Sequence, residues 1–181
     1  MNIRKNQKGF TLIELLIVVA IILIIAAIAI PNLLRSRMAA NEAAAVGGLR
    51  TIVTAQVTYY STYNTGYATS LTALSGAAGA AATCAASQLL DPTFNQDPTP
   101  RQGYSFALVA ANPPAAIPAT ACNATDDQTF TAVAVPITVG TTGQRSFCDD
   151  QAGAIYFNPL GTDLGNNGSS CAPAWTLPLG N

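Results

Sequence analysis

The sequence predicts an α+β protein in which one long N-terminal helix packs on an antiparallel sheet of roughly four strands. Three observations predict it. An unbroken apolar run fills residues 15–30 with no turn former before Pro31. Apolar residues then recur at three- and four-residue spacing as far as Tyr60. Beyond residue 103 the period changes to two, the signature of strands.

Residues 1–9 carry Arg4, Lys5 and Lys8 and no acid, so the positive-inside rule keeps this end cytoplasmic and exports the remainder. Residues 10–31 form the hydrophobic segment. As a helix, Phe10 to Ile30 spans about 32 Å, against a hydrocarbon core of about 30 Å. In lipid every backbone polar group must be satisfied internally, which leaves helix as the conformation. Glu14 breaks the pattern. A carboxylate at mid-bilayer costs about 2.5–3.5 kcal/mol on insertion scales, less near an interface, and the segment holds no cation. Cleavage after Gly9 would create one: an α-amine on Phe10, charged near neutral pH. Glu14 stands four residues further, on the same helical face. The amine then pairs with its own Glu14 or with that of a neighbouring chain. Two competing readings are a secretory signal cut after Ala29 and an uncleaved anchor. The apolar run is too long for the roughly 7–15 residues of a signal core, and it is preceded by an acid.

A basic leader ending in Lys8-Gly9, followed by Phe10-Thr11-Leu12-Ile13-Glu14 and a long apolar run, resembles the signal of type IV pilins and type II secretion pseudopilins. The resemblance covers about the first thirty-five residues. It implies that a prepilin peptidase removes residues 1–9, cutting after Gly9 and methylating Phe10. It also implies that Glu14 and Pro31 serve assembly into a helical homopolymer, drawn from the inner membrane by an assembly platform.

Pro31 lacks an N–H and crowds the preceding turn, so it kinks or locally melts the helix, which resumes at Asn32. Residues 32–64 form the amphipathic half, with Leu49, Ile52, Val53, Gln56, Val57 and Tyr60 as its inward stripe. Gly47-Gly48 is a weak point where a slight bend is expected. Tyr59, Tyr60, Tyr63 and Tyr67 read as cover for the core and the connecting loop rather than a path for electrons. Residues 65–102 form a variable loop with one short helical turn near residues 70–74. Residues 103–157 supply the sheet: strands at 103–111, 130–139, 145–148 and 154–157. Pro136 lies at an edge or bulge, and a hairpin turn is expected at residues 149–153. Residues 158–181 are loop.

Cys84, Cys122, Cys148 and Cys171 all lie in the exported part, where disulfides outrank metal. No histidine and no CxxC pair exists to favour zinc. Three connectivities are open; the resemblance to pilins favours Cys148–Cys171, with Cys84–Cys122 tying two loops. No cofactor is required. Asp126, Asp127, Asp149, Asp150 and Asp163 form a candidate Ca²⁺ donor set. The alternative is that they are solvated turn residues.

After leader removal arginine is the only cationic side chain, and from Asn64 onward Arg101 and Arg145 face seven aspartates. That exterior offers no footprint for nucleic acid. An enzymatic reading fails by inventory: no histidine, no phosphate loop after a strand, no lysine beyond the leader. The expected function is a structural subunit of a type IV pilus-like surface filament. The alternatives are a major pseudopilin, which the YATSLTAL stretch at residues 67–74 favours, and an anchored exported binding domain that never polymerises.

Overall fold

A computed structural model describes residues 10–63, 66–76, 79, 81–111, 129–163, 168, 170–171, 175 and 177–179. The chain divides into two compact units, residues 1–37 and residues 38–181.

The first unit contains the start of helix α1 (Leu12–Tyr63), a 52-residue element. The helix runs through Pro31: where the sequence predicts a kink or a melted turn before Asn32, the turn stays helical rather than melting. The missing N–H removes one hydrogen bond, and helix propagation on either side is strong enough to carry across a single gap.

The second unit, the head, builds three layers. Residues 38–63 of α1 cover one face of a sheet in sequential order β1 to β6. The strands are β1 (Thr99–Arg101), β2 (Tyr104–Ala110), β3 (Phe130–Pro136), β4 (Ser146–Asp150), β5 (Tyr156–Asn158) and β6 (Leu177–Pro178). All neighbours are antiparallel, and the longest pairing sets Tyr104 opposite Pro136 and Ala110 opposite Phe130. Strands β2 to β5 are the four read from sequence. The short edges β1 and β6 were not read, because each contains a proline and is too brief to show a period. Pro136 ends β3.

The inward stripe differs from the one spacing predicts. Leu49, Ile52 and Gln56 are fully buried, and Ala45, Ala55 and Tyr59 join them. Val57 and Tyr60 instead remain 54% and 36% exposed. From Leu49 and Ile52 the same face continues to Gln56 and Tyr59 by steps of four and three, and Val57 falls off it. Gln56 qualifies despite its polarity because both ends of its amide bond the backbone of Ala68, each at 2.8 Å. An unpaired amide there would cost about 1–3 kcal/mol.

Gly48 is a notch for Phe106, where a weak point was expected. A methyl group at residue 48 would meet that ring at 2.8 Å, whereas Gly47 faces open space. Phe106 is 2% exposed and sits edge-on to Phe94. We expect Gly48→Ala to destabilise the head by about 1–3 kcal/mol through overpacking. Gly47→Ala should be neutral or stabilising by up to about 1 kcal/mol from helix propensity. Thermal unfolding of the two variants in detergent, followed by near-UV circular dichroism, checks the contrast.

The described residues of the connection from 66 to 98 include several that are packed into the core. A short helix, α2 (Leu71–Ser75), is capped by Ser70 and buries Leu71 and Leu74. A 3-10 turn at Pro92–Phe94 buries Phe94. Asp97 ties this segment to the sheet: its carboxylate accepts from Leu71 N–H at 3.1 Å and from Leu108 N–H at 3.4 Å. On the far face of the sheet, Val133, Cys148, Cys171 and Trp175 form a second, smaller core.

Candidate assembly site

The first unit presents a continuous apolar surface. Its large side chains from Phe10 to Leu34 are between 46% and 87% exposed, and an 18-residue window of α1 reaches a mean hydropathy of 3.3 with none of it buried. Among the described residues this is the one helix long and apolar enough to cross a membrane.

The helix opens with a closed local device. Thr11 donates its backbone N–H to Glu14 Oε2 at 2.9 Å and its hydroxyl to the same oxygen at 2.7 Å. Glu14 N–H returns a bond to Thr11 Oγ1 at 3.3 Å. This is a capping box: the first-turn carboxylate and the cap residue satisfy donors that a helix start otherwise orphans. The Thr-x-x-Glu spacing was legible in the sequence and was not read there. Phe10 lies just ahead of the box, 87% exposed, while Gly9 lies outside the described residues.

The head is held to its own stretch of α1 by Glu42. Its Oε1 accepts from the N–H of Gln144 at 2.9 Å and of Arg145 at 3.2 Å. Its Oε2 accepts from Arg145 Nε at 2.9 Å and Nη2 at 2.7 Å. Asn41 adds a bond to the carbonyl of Thr142 at 2.8 Å. The Arg145 guanidinium also lies 5.3 Å from the Phe157 ring centre and 5.5 Å from that of Phe147. Burial pushes the Glu42 carboxyl up, but the bonds from Gln144 and Arg145 outweigh it and hold the group below the usual glutamate range.

Of the five candidate calcium donors, Asp149, Asp150 and Asp163 lie among the described residues. Asp149 and Asp150 lie in strand β4, both buried, where a hairpin turn was expected. Successive strand residues face opposite sides. Asp150 turns to the outer layer, accepting from Cys171 N–H at 3.0 Å, Ser170 Oγ at 3.1 Å and Ala152 N–H at 2.9 Å. Those donors explain why an acid sits inside the strand. Asp149 shares the helix-side face with Phe147, and its Oδ1 accepts from the N–H of Asp150 at 3.0 Å. Asp163 is exposed; Asp126 and Asp127 lie outside the described residues. Among the described residues no three His, Cys, Asp or Glu side chains gather as a metal site would need. Cys148 is bridged to Cys171, stapling the outer layer to β4. Cys84 is also disulfide-bonded, and Cys122 lies outside the described residues.

Burial raises the Asp149 carboxyl to about 6, with the Asp150 N–H and Arg50 opposing the shift and the charge of Asp150 adding to it. A group whose folded value is raised contributes stability that is complete below its unfolded value and is lost as pH rises through the folded one. The head should therefore lose on the order of 2–3 kcal/mol between about pH 4 and pH 6 through this residue. Asp97, raised mainly by burial, acts in the same sense. Asp149→Asn should flatten that slope and stabilise the head at pH 7. Unfolding midpoints of both proteins across this window check it.

Residues 4–30 match the family model of the prokaryotic N-terminal methylation motif. The chain carries a type IV prepilin motif. Two curated proteins extend the likeness. The type IV wide pilus major component PilA4 of Thermus thermophilus is 54% identical over 55 residues, 30% of this chain and 42% of that protein. The type IV major pilin protein PilA of Myxococcus xanthus is 50% identical over 56 residues, 31% of this chain and 26% of that protein. The N-terminal region is thus homologous to type IV pilins, and the match spans less than half the length of either relative. No solved structure matches the chain.

Proposed function

We propose that this protein is the structural subunit of a type IV pilus-like filament, polymerised through the apolar part of α1. One observation carries the reading: a prepilin motif leads directly into a helix whose apolar side chains are exposed on every side. Such a surface is tolerated in lipid or among copies of itself, and not in water. In this reading a prepilin peptidase cuts after Gly9 and methylates Phe10. The subunit waits in the inner membrane with its head outside, then leaves lipid as its helix packs on those of other subunits. Glu14, held at the first turn by Thr11, lies within reach of the Phe10 amine of an incoming copy. Pro31 leaves a carbonyl one turn earlier without its helical donor, a site where the helix can yield during packing. The disulfides keep the head intact outside the cell.

The test is electron microscopy of surface fibres, with the subunit identified in them by N-terminal sequencing. Fibres whose subunits begin at Phe10 support the proposal. Subunits beginning at Met1 or Ile30, or a protein that stays single in the membrane under all conditions, overturn it. The pseudopilin reading retains the YATSLTAL stretch in its favour. Loss of protein secretion, rather than of surface fibres, on deletion of the gene would select it.

A further inference from the structure

The apolar surface of α1 ends in two arginines. Between Phe10 and Asn41 the chain holds three charged side chains, Glu14, Arg35 and Arg37. Leu33 and Leu34, 69% and 50% exposed, carry the apolar face past Pro31 and up to the pair. Both arginines are exposed, and neither makes an ion pair among the described residues. No acid stands three or four residues from either, so the helix itself supplies them no partner. The next acid, Glu42, has both carboxylate oxygens engaged by Gln144 and Arg145.

The length of the apolar surface sets the depth of the pair in a bilayer. With Phe10 at one edge of a hydrocarbon core about 30 Å thick, a helix tilted by about 20° carries Arg35 about 5 Å and Arg37 about 8 Å beyond the other edge. Headgroups add roughly 5–7 Å on each side, so this is the phosphate layer. The donors of a guanidinium match phosphate oxygens, and its stem can lie along apolar neighbours while the charge stays among the headgroups. Two positions apart on a helix is about 200° around the axis, so each arginine meets a different lipid.

The positive-inside rule disfavours cations on this side, and during insertion Arg4, Lys5 and Lys8 outweigh them. Once residues 1–9 are removed, the cytoplasmic end keeps an α-amine and Glu14, which sum to no net charge. Arg35 and Arg37 are then the uncompensated charges beside the bilayer.

We propose that Arg35 and Arg37 bind the phosphates of anionic phospholipids on the exported side of the membrane and thereby hold the waiting subunit at a fixed depth. The site rests on the membrane-spanning part of the reading above, and it is given up as the subunit leaves lipid.

Spin-labelled lipids in vesicles carrying the full chain test it. The vesicles are phosphatidylcholine with a minority of phosphatidylglycerol, and electron paramagnetic resonance reports which labelled lipid the protein immobilises. Labelled phosphatidylglycerol should be held more strongly than labelled phosphatidylcholine. Replacing both residues, Arg35→Gln with Arg37→Gln, should lower that preference by about fivefold or more. Arg35→Lys with Arg37→Lys keeps the charge and should retain most of it. Equal immobilisation of the two lipids, which would leave the arginines to an acid of a second copy, overturns the site. So does a preference that survives the glutamine pair, or a lysine pair that behaves like the glutamine pair. Chain washed from the vesicles by alkali overturns the membrane reading together with this site, whereas chain that stays inserted without a lipid preference overturns the site alone.

Discussion

Replacing Glu14 by alanine is expected to leave the protein in the membrane and remove its filaments. Insertion depends on the apolar run, and deleting an acid from it makes insertion easier. Assembly loses a charge-assisted bond between carboxylate and amine, worth about 1.5–3 kcal/mol where water is excluded. The loss recurs at every subunit added, so filament yield should fall by at least about a hundredfold. The capping box supplies the controls. Glu14→Gln retains an acceptor for the Thr11 donors and removes the charge alone. Thr11→Ala frays the first turn by about 1 kcal/mol and leaves the charge in place. If charge is what assembly needs, Glu14→Gln should fail like Glu14→Ala, and Thr11→Ala should be milder. Fibre counts from micrographs, set beside membrane fractionation, read the result. Abundant filaments from Glu14→Ala would refute the role given to the carboxylate.

The second large effect is expected in the head. Glu42→Ala removes the acceptor for two backbone N–H groups and for both bonds from the Arg145 guanidinium. Each orphaned donor costs about 1–3 kcal/mol, reduced at the arginine because its side chain is 38% exposed and water reaches it. A net loss of about 3 kcal/mol is expected, or roughly 10 °C in the unfolding midpoint of a head this size. Glu42→Gln keeps an acceptor and should recover part of it. Because the folded Glu42 carboxyl is held below its usual range, its contribution is present above the unfolded value and disappears as pH falls through the folded one. That acid-side loss lies below the window in which Asp149 acts, so a pH series separates the two. Thermal unfolding of the full chain in detergent, at pH 7 and in acid, measures both.

Among the strands read from sequence, β2 was the most legible because it buries one face along its whole length, whereas β3 and β4 are buried on both. Tyr104, Phe106, Leu108 and Ala110 point inward as their period of two requires. The stripe on α1 was legible only as far as Gln56, since hydropathy alone could not rank Val57 below Tyr59. Tyr59 is inside because its hydroxyl reaches the carbonyl of Cys84 at 2.7 Å, 25 residues away. The aspartates at 149 and 150 read as a turn because Asp usually marks one. They lie in a strand because tail residues far along the chain supply Asp150 with donors.

By itself the sequence determined the apolar run and the prepilin motif ahead of it, and from these came the expected orientation and processing point. These depend on hydropathy, charge and spacing within some thirty consecutive residues, and need no partner from elsewhere. Only the tertiary structure decided that Gly48 is a notch for Phe106, that Gln56 is core, and that Glu42 grips Arg145 across a separation of 103 residues. Each of those contacts joins two surfaces whose match is a property of their packing. A residue's own neighbours in the chain carry no trace of what will be laid against it.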